Sequence, residues 1–107
     1  MTTFDKREEA FEKQFVIDEE LRFKAAARRN RLLGLWIAEK LGLAGAEADA
    51  YAKQVVVAEF EEGGDEAVTG KVVGDLAAKG INVGRDEILA RMNELMAQAI
   101  VQVKAGL

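Results

Sequence analysis

From Met1 to Leu33 the chain contains neither glycine nor proline, and the full 107 residues contain no proline at all. Nothing in that opening stretch removes a backbone donor or supplies an easy left-handed residue, so a helix begun there meets no local stop. The first glycine is Gly34, and the other nine lie downstream of it. One long helix followed by shorter, glycine-punctuated elements is the arrangement these facts favour.

The punctuation predicts four helices. Asp5 with Glu8 three residues on forms a capping box, and the first helix is expected from there to about Leu41, roughly 55 Å at 1.5 Å per residue. Gly42-Leu43 reads as a Schellman ending. A second helix follows Gly45 and ends near Phe60, with Ala48, Ala52, Val55, Val56 and Phe60 on one face. Glu61-Glu62-Gly63-Gly64 is a polar connection. Asp65 is expected to cap a third helix carrying Val68, Val72, Val73, Leu76 and Ala77, closed by Lys79-Gly80-Ile81. Val83 and Ile88 form a hydrophobic staple opening the fourth, whose face is Ile88, Met92, Leu95, Ala99 and Val103. Val55-Val56-Val57 has strand-like composition, but Ala-rich flanks and missing alternation argue for helix. The expected fold is all-α, a four-helix bundle with a long first helix.

The residue inventory excludes much chemistry. There is no His, Cys or Ser, so sites built on zinc with nitrogen or sulfur ligands, disulfides, thiol nucleophiles and serine triads are absent. Only Asp, Glu, Lys, Arg, Tyr51 and three Thr remain, and no carboxylate pair sits among apolar residues that would raise its pKa. An enzyme is therefore not expected, nor a cofactor or metal. Glu61, Glu62, Asp65 and Glu66 lack calcium-loop spacing and read as caps and solvated charge. A pI near 4.9 argues against nucleic acid. No apolar run approaches the ~20 residues of a membrane span, and residues 1–15 lack the apolar stretch of a signal peptide. A cytoplasmic protein, monomeric when free, is expected.

Charge divides the chain unevenly. Residues 1–31 hold eight basic and seven acidic side chains; the remainder holds seven and twelve. So charged a front cannot bury enough apolar surface alone to offset chain entropy. Residues 1–19 are read as an arm, mobile and helical only when it has something to lie on, and residues 20–107 as the body. Phe4, Phe11 and Phe15 share a helical face that runs out of phase with the Leu32, Leu33, Trp36, Ile37 and Leu41 stripe. Each ring can contribute about 1.5–3 kcal/mol on burial, either by folding back onto the bundle or by entering a partner's groove. Lys24, Arg28, Arg29 and Arg31 form a basic run suited to phosphate, to an acidic partner or to plain solvation. Gly70 and Gly74 admit close helix approach or a loosened third helix. Gly34 reads as a hinge or as room for a neighbour such as Trp36. Trp36 and Tyr51 are expected in or beside the core.

The runs Glu20-Leu21-Arg22-Phe23-Lys24-Ala25 and Ala27-Arg28-Arg29-Asn30-Arg31-Leu32-Leu33-Gly34-Leu35-Trp36-Ile37-Ala38 resemble the signature of the alphaproteobacterial ATP synthase inhibitor family, the zeta subunit. The opening Met1-Thr2-Thr3-Phe4-Asp5, with Arg7-Glu8 and Phe11-Glu12, is similar to that family's start, and Gly64-Asp65-Glu66 and the Arg85–Leu95 helix sit as in relatives. The resemblance implies a four-helix regulatory protein whose partner is the catalytic head of the F-type ATPase, on the cytoplasmic side of the inner membrane. It implies an N-terminal arm that enters an interface between catalytic and non-catalytic subunits and blocks ATP hydrolysis. Carried over, Phe4, Phe11 and Phe15 become anchors, and Lys6, Arg7, Glu8 and Glu12 polar contacts. Val16-Ile17 departs from the smaller or more polar residues expected there. Two other readings stand beside it: a helical module sensing ATP or ADP through Lys24, Arg28, Arg29 and Arg31, and a generic helical adaptor.

Overall fold

Four helices make up the computed structural model, which describes the backbone of residues 2–107 and the side chains of residues 19–107. They are α1 (Thr2–Lys40), α2 (Gly45–Ala58), α3 (Asp65–Ala78) and α4 (Arg85–Lys104). No strand occurs among the described residues. The absence of any breaker before Gly34 has the expected consequence, one unbroken helix of 39 residues. It begins at Thr2, so Asp5 lies within the helix and not at its N-cap.

The helix ends follow the glycines. At the end of α1 the Leu43 amide donates to the Ala38 carbonyl at 2.9 Å and the Gly42 amide to Glu39 at 3.1 Å. Gly42 has φ +79°, which a side chain would resist. The end of α3 repeats this, with Ile81 donating to Leu76 and Gly80 to Ala77, both at 2.9 Å. Leu43 and Ile81, the residues after each glycine, fold back against the core. The start of α3 differs from expectation. Its N-cap is Gly64 and no side chain caps it; Asp65 is the first helical residue, and Arg29 holds its carboxylate instead.

α1 packs against both α2 and α4, α3 touches all three, and α2 and α4 do not meet among the described residues. The core is therefore strung along the inner face of α1. Leu33 and Ile37 meet Val55 from α2, Val68, Val72 and Leu76 from α3, and Ile88, Met92 and Leu95 from α4. Two expected core positions are displaced. Phe60 lies beyond the end of α2 and is 69% exposed, and Ala77 faces solvent. Thr69 is buried on α3 beside that face, its hydroxyl satisfied by donating to the Asp65 carbonyl at 2.7 Å. Tyr51 is buried, and Trp36 is half-buried beneath Lys40 and Arg91, whose cations lie 4.6 and 5.1 Å from its ring.

The interior glycines separate into two kinds. A Cβ on Gly34 would stand 2.6 Å from the Ala52 Cα and 3.2 Å from Val55 Cγ2. Gly34 thus leaves room for a neighbour, but the neighbour is Ala52 and not Trp36, and α1 and α2 touch there backbone to backbone rather than at a hinge. Around Gly70 and Gly74 nothing lies within 4 Å of such a Cβ. Close approach does not explain them, and their helix carries the entropy without a packing return. Gly70→Ala and Gly74→Ala should each raise unfolding free energy by about 1 kcal/mol. Urea unfolding followed by helical circular dichroism reads this directly, and a loss of stability in either variant would contradict the open surroundings.

Candidate functional site

The basic run is divided by helix geometry into one buried and three outward cations. Arg29 is 5% exposed. Its Nη2 donates to Asp65 Oδ1 at 2.7 Å and Glu59 Oε2 at 3.3 Å, and its Nε to Asn30 Oδ1 at 3.1 Å. Asn30, also buried, donates to Glu59 Oε2 at 3.0 Å. The cluster fastens α1 to the end of α2 and the start of α3. Arg29, named with the anion-binding residues on sequence grounds, has its guanidinium committed to the protein's own carboxylates. The guanidinium beside Asp65 holds that carboxyl below its ordinary value, while burial and the neighbouring Asp65 push Glu59 up.

Lys24, Arg28 and Arg31 line the outer side of α1. They border a groove of about 410 Å³ whose apolar lining comes from Ala27, Leu32 and Leu35 of α1 and Val56 of α2. A second groove of about 390 Å³ shares Lys24, Ala27 and Arg28 and runs on past Phe23 to Val103 and Leu107 beside α4. Arg28 is held in place, donating to Gln102 Oε1 at 3.2 Å and to the Leu107 carbonyl. At the edge of this surface Phe23 and Phe60 are 66% and 69% exposed, with ring centroids 6.4 Å apart. Sequence periodicity missed this pair, because Phe60 was counted with the buried face of α2. The visible signal was its place after Glu59, next to the Glu61-Glu62-Gly63-Gly64 connection.

A third polar cluster links α2 to α3. Tyr51 donates to Asp75 Oδ2 at 2.8 Å, Lys71 bonds the same oxygen at 3.0 Å, and the Lys71 ammonium lies 5.2 Å from the Tyr51 ring. Burial and the adjacent Asp75 carboxylate push the Tyr51 hydroxyl well above its ordinary range. This keeps Tyr51 a neutral donor and makes the cluster a fastening for α3. Of the acidic group, Asp65 is tied to Arg29, and Glu66 stands 3.9 Å from Arg85. Among the described residues no group of three or more acidic side chains is placed to hold a metal ion. No helix there is long and apolar enough to cross a membrane.

The side chains of Phe4, Lys6, Arg7, Glu8, Phe11, Glu12 and Phe15 lie outside the described residues, although the helix that carries them is continuous with the body. That continuity sets a length. α1 has 39 residues, whereas α4, the longest helix packed on it, has 20. The excess corresponds to about 28 Å of helix.

Comparison with known proteins agrees with this architecture. A protein solved by solution NMR is similar at 50% identity and a TM-score of 0.70, over 81% of this chain and 99% of that one. No curated protein matches the chain. The family profile described as ATPase inhibitor subunit zeta matches residues 1–102, which takes in the long first helix and nearly all of the bundle. With that extent of match, the chain belongs to the ATPase inhibitor subunit zeta family.

Proposed function

We propose that this protein is a brake on a rotary F-type ATPase, stopping ATP hydrolysis by inserting the N-terminal part of α1 into the catalytic head while the four-helix body stays outside. The observation that supports this best is the length of α1 beyond the helices packed on it, within a chain whose family is one of ATPase inhibitors. A wedge needs reach, and a helix 39 residues long beside one of 20 has length to spare, about 28 Å. Residues 1–19 bring Phe4, Phe11 and Phe15 as apolar anchors and Lys6, Arg7, Glu8 and Glu12 as polar contacts. Anchors spaced by seven and four residues suit a groove between two subunits. On this reading the protein sits at the membrane only through the ATPase, and no catalytic step is its own.

Removing residues 1–17 should abolish inhibition of the ATPase from the same organism while helical circular dichroism and a cooperative melt report an intact body. Hydrolysis and synthesis are measured separately, and a one-way brake spares synthesis. Undiminished inhibition by the shortened chain would refute the insertion reading.

A further inference from the structure

The two adjoining grooves on the outer side of α1 form one trough between α2 and α4. α2 and α4 flank α1 without close backbone approach to each other, and on the floor Lys24 and Arg31 are exposed while Ala27, Leu32 and Leu35 are half-buried. From Phe23 to Leu35 the trough follows α1 for thirteen residues, about 18 Å or three helical turns. The first groove is flanked by Val56 of α2 and Gln102 of α4, the second by Val103 and Leu107, with the small Ala27 on the floor of both. Lys24, Arg28 and Arg31 stand along it, and no Asp or Glu side chain lines either groove. In a chain of net charge −4 this is a local reversal of sign.

We infer that this trough seats an acidic amphipathic helix of the ATPase head, a second contact beside the arm; the inference rests on the inhibitor reading above. Shape and charge together select the occupant. About three turns of length, with Phe23, Ala27, Leu32 and Leu35 along the floor and Val56 and Val103 beside it, match the apolar face of a single helix. Lys24 and Arg31 would meet its flanking carboxylates, Arg28 being engaged by Gln102 and Leu107, and would give orientation and a faster encounter. The trough begins at Phe23, close in sequence to the end of the arm at residue 19, so a partner gripping the arm is already beside it. Engaging both sites makes the second contact intramolecular and raises overall affinity through effective concentration.

The test uses the full-length chain. Lys24→Glu with Arg31→Glu reverses two exposed charges, and Ala27→Trp fills the floor. Association with the purified ATPase is measured by surface capture, and hydrolysis is titrated in parallel. Each variant should raise the dissociation constant by about tenfold or more, the charge reversal through both on- and off-rates. Its melting curve is the control for folding. Unchanged dissociation constants in both variants would overturn the trough, and the arm truncation would still judge the insertion reading independently. An effect confined to the charge-reversed on-rate and erased by high salt, with Ala27→Trp silent, would show steering only and also overturn it. So would ADP or ATP displacing the parent chain but not the charge-reversed one, since the trough would then hold a nucleotide.

Discussion

Gly34→Leu is expected to lower unfolding free energy by about 3 kcal/mol or more, the largest stability loss of any single substitution considered. Leucine is a strong helix former, so the change is favourable by about 1 kcal/mol within α1 taken alone. The opposing effect is space. Even a Cβ would stand 2.6 Å from the backbone Cα of Ala52 and 3.1 Å from its Cβ, and backbone cannot rotate aside as a side-chain tip can. The helices must separate, which opens the packing of Leu33, Ile37 and Val55 as well; overpacking of this kind costs about 1–3 kcal/mol, with the lost contacts in addition. Gly34→Ala should be milder and still destabilising. The sign therefore reverses between Gly34 and the pair Gly70 and Gly74, although the residue change is the same. Urea unfolding monitored by the single Trp36 measures all three. A stabilised Gly34→Ala would mean that α1 and α2 do not touch at this point.

Arg29→Met should cost about 2–3 kcal/mol and alter the acid response of the protein. Methionine keeps much of the aliphatic volume, so the loss reports the guanidinium. Removing one partner of a buried ion pair costs about 3–5 kcal/mol when the other charge is stranded. Here the stranded carboxylates keep some water, with Glu59 and Asp65 side chains 27% and 57% exposed, which places the value lower. The two carboxylates pull stability in opposite directions with pH. Asp65 is held below its ordinary 3.8, so its contribution is present above that value and is lost as pH falls through its folded pKa. Glu59 is raised above its ordinary 4.5, so the folded state gains as pH falls through its folded pKa and Glu59 takes up a proton. Acidifying from about pH 7 should first strengthen this cluster and then, below the Asp65 range, weaken it, the two groups titrating as a coupled pair. Glu59→Gln should remove the early gain and keep the later loss. Arg29→Met should lose the stabilisation that Asp65 supplies at neutral pH. Parallel pH profiles of the two variants that left the parent curve unchanged would show that the cluster does not fasten α1 to α3.

Several elements were legible because their cause is local. The unbroken α1 follows from thirty-three residues without Gly or Pro, and its end from Gly42-Leu43. The faces of α3 and α4 follow from apolar spacing, and Val68, Val72, Leu76, Ile88, Met92, Leu95 and Ala99 are all buried. Periodicity failed where helix ends and polar partners decided the outcome. Phe60 had the spacing of a core residue, yet α2 stops two residues before it and the ring turns outward. Asp65 had the composition of a cap, yet it lies close enough to Arg29 for a charge-assisted bond to prevail. Arg29 and Arg31 are two residues apart, and no propensity scale distinguishes them; helical phase turns one inward and leaves the other facing solvent.

The amino-acid order alone determined that this protein is helical, that α1 and α3 close at Gly42 and Gly80 and that its front carries charge and aromatics without a continuous apolar stripe, because turn chemistry and the 3.6-residue period act over a few neighbours. Tertiary packing decided which glycine is a contact and which are unoccupied, that Arg28 and Arg29 are tied to other elements while Arg31 faces solvent, and that two grooves run along the outer side of α1. Those outcomes depend on residues 18 to 79 positions apart meeting in space, as Gly34 meets Ala52, Arg29 meets Asp65 and Arg28 meets Leu107. Sequence spacing along one helix carries no information about what arrives from another.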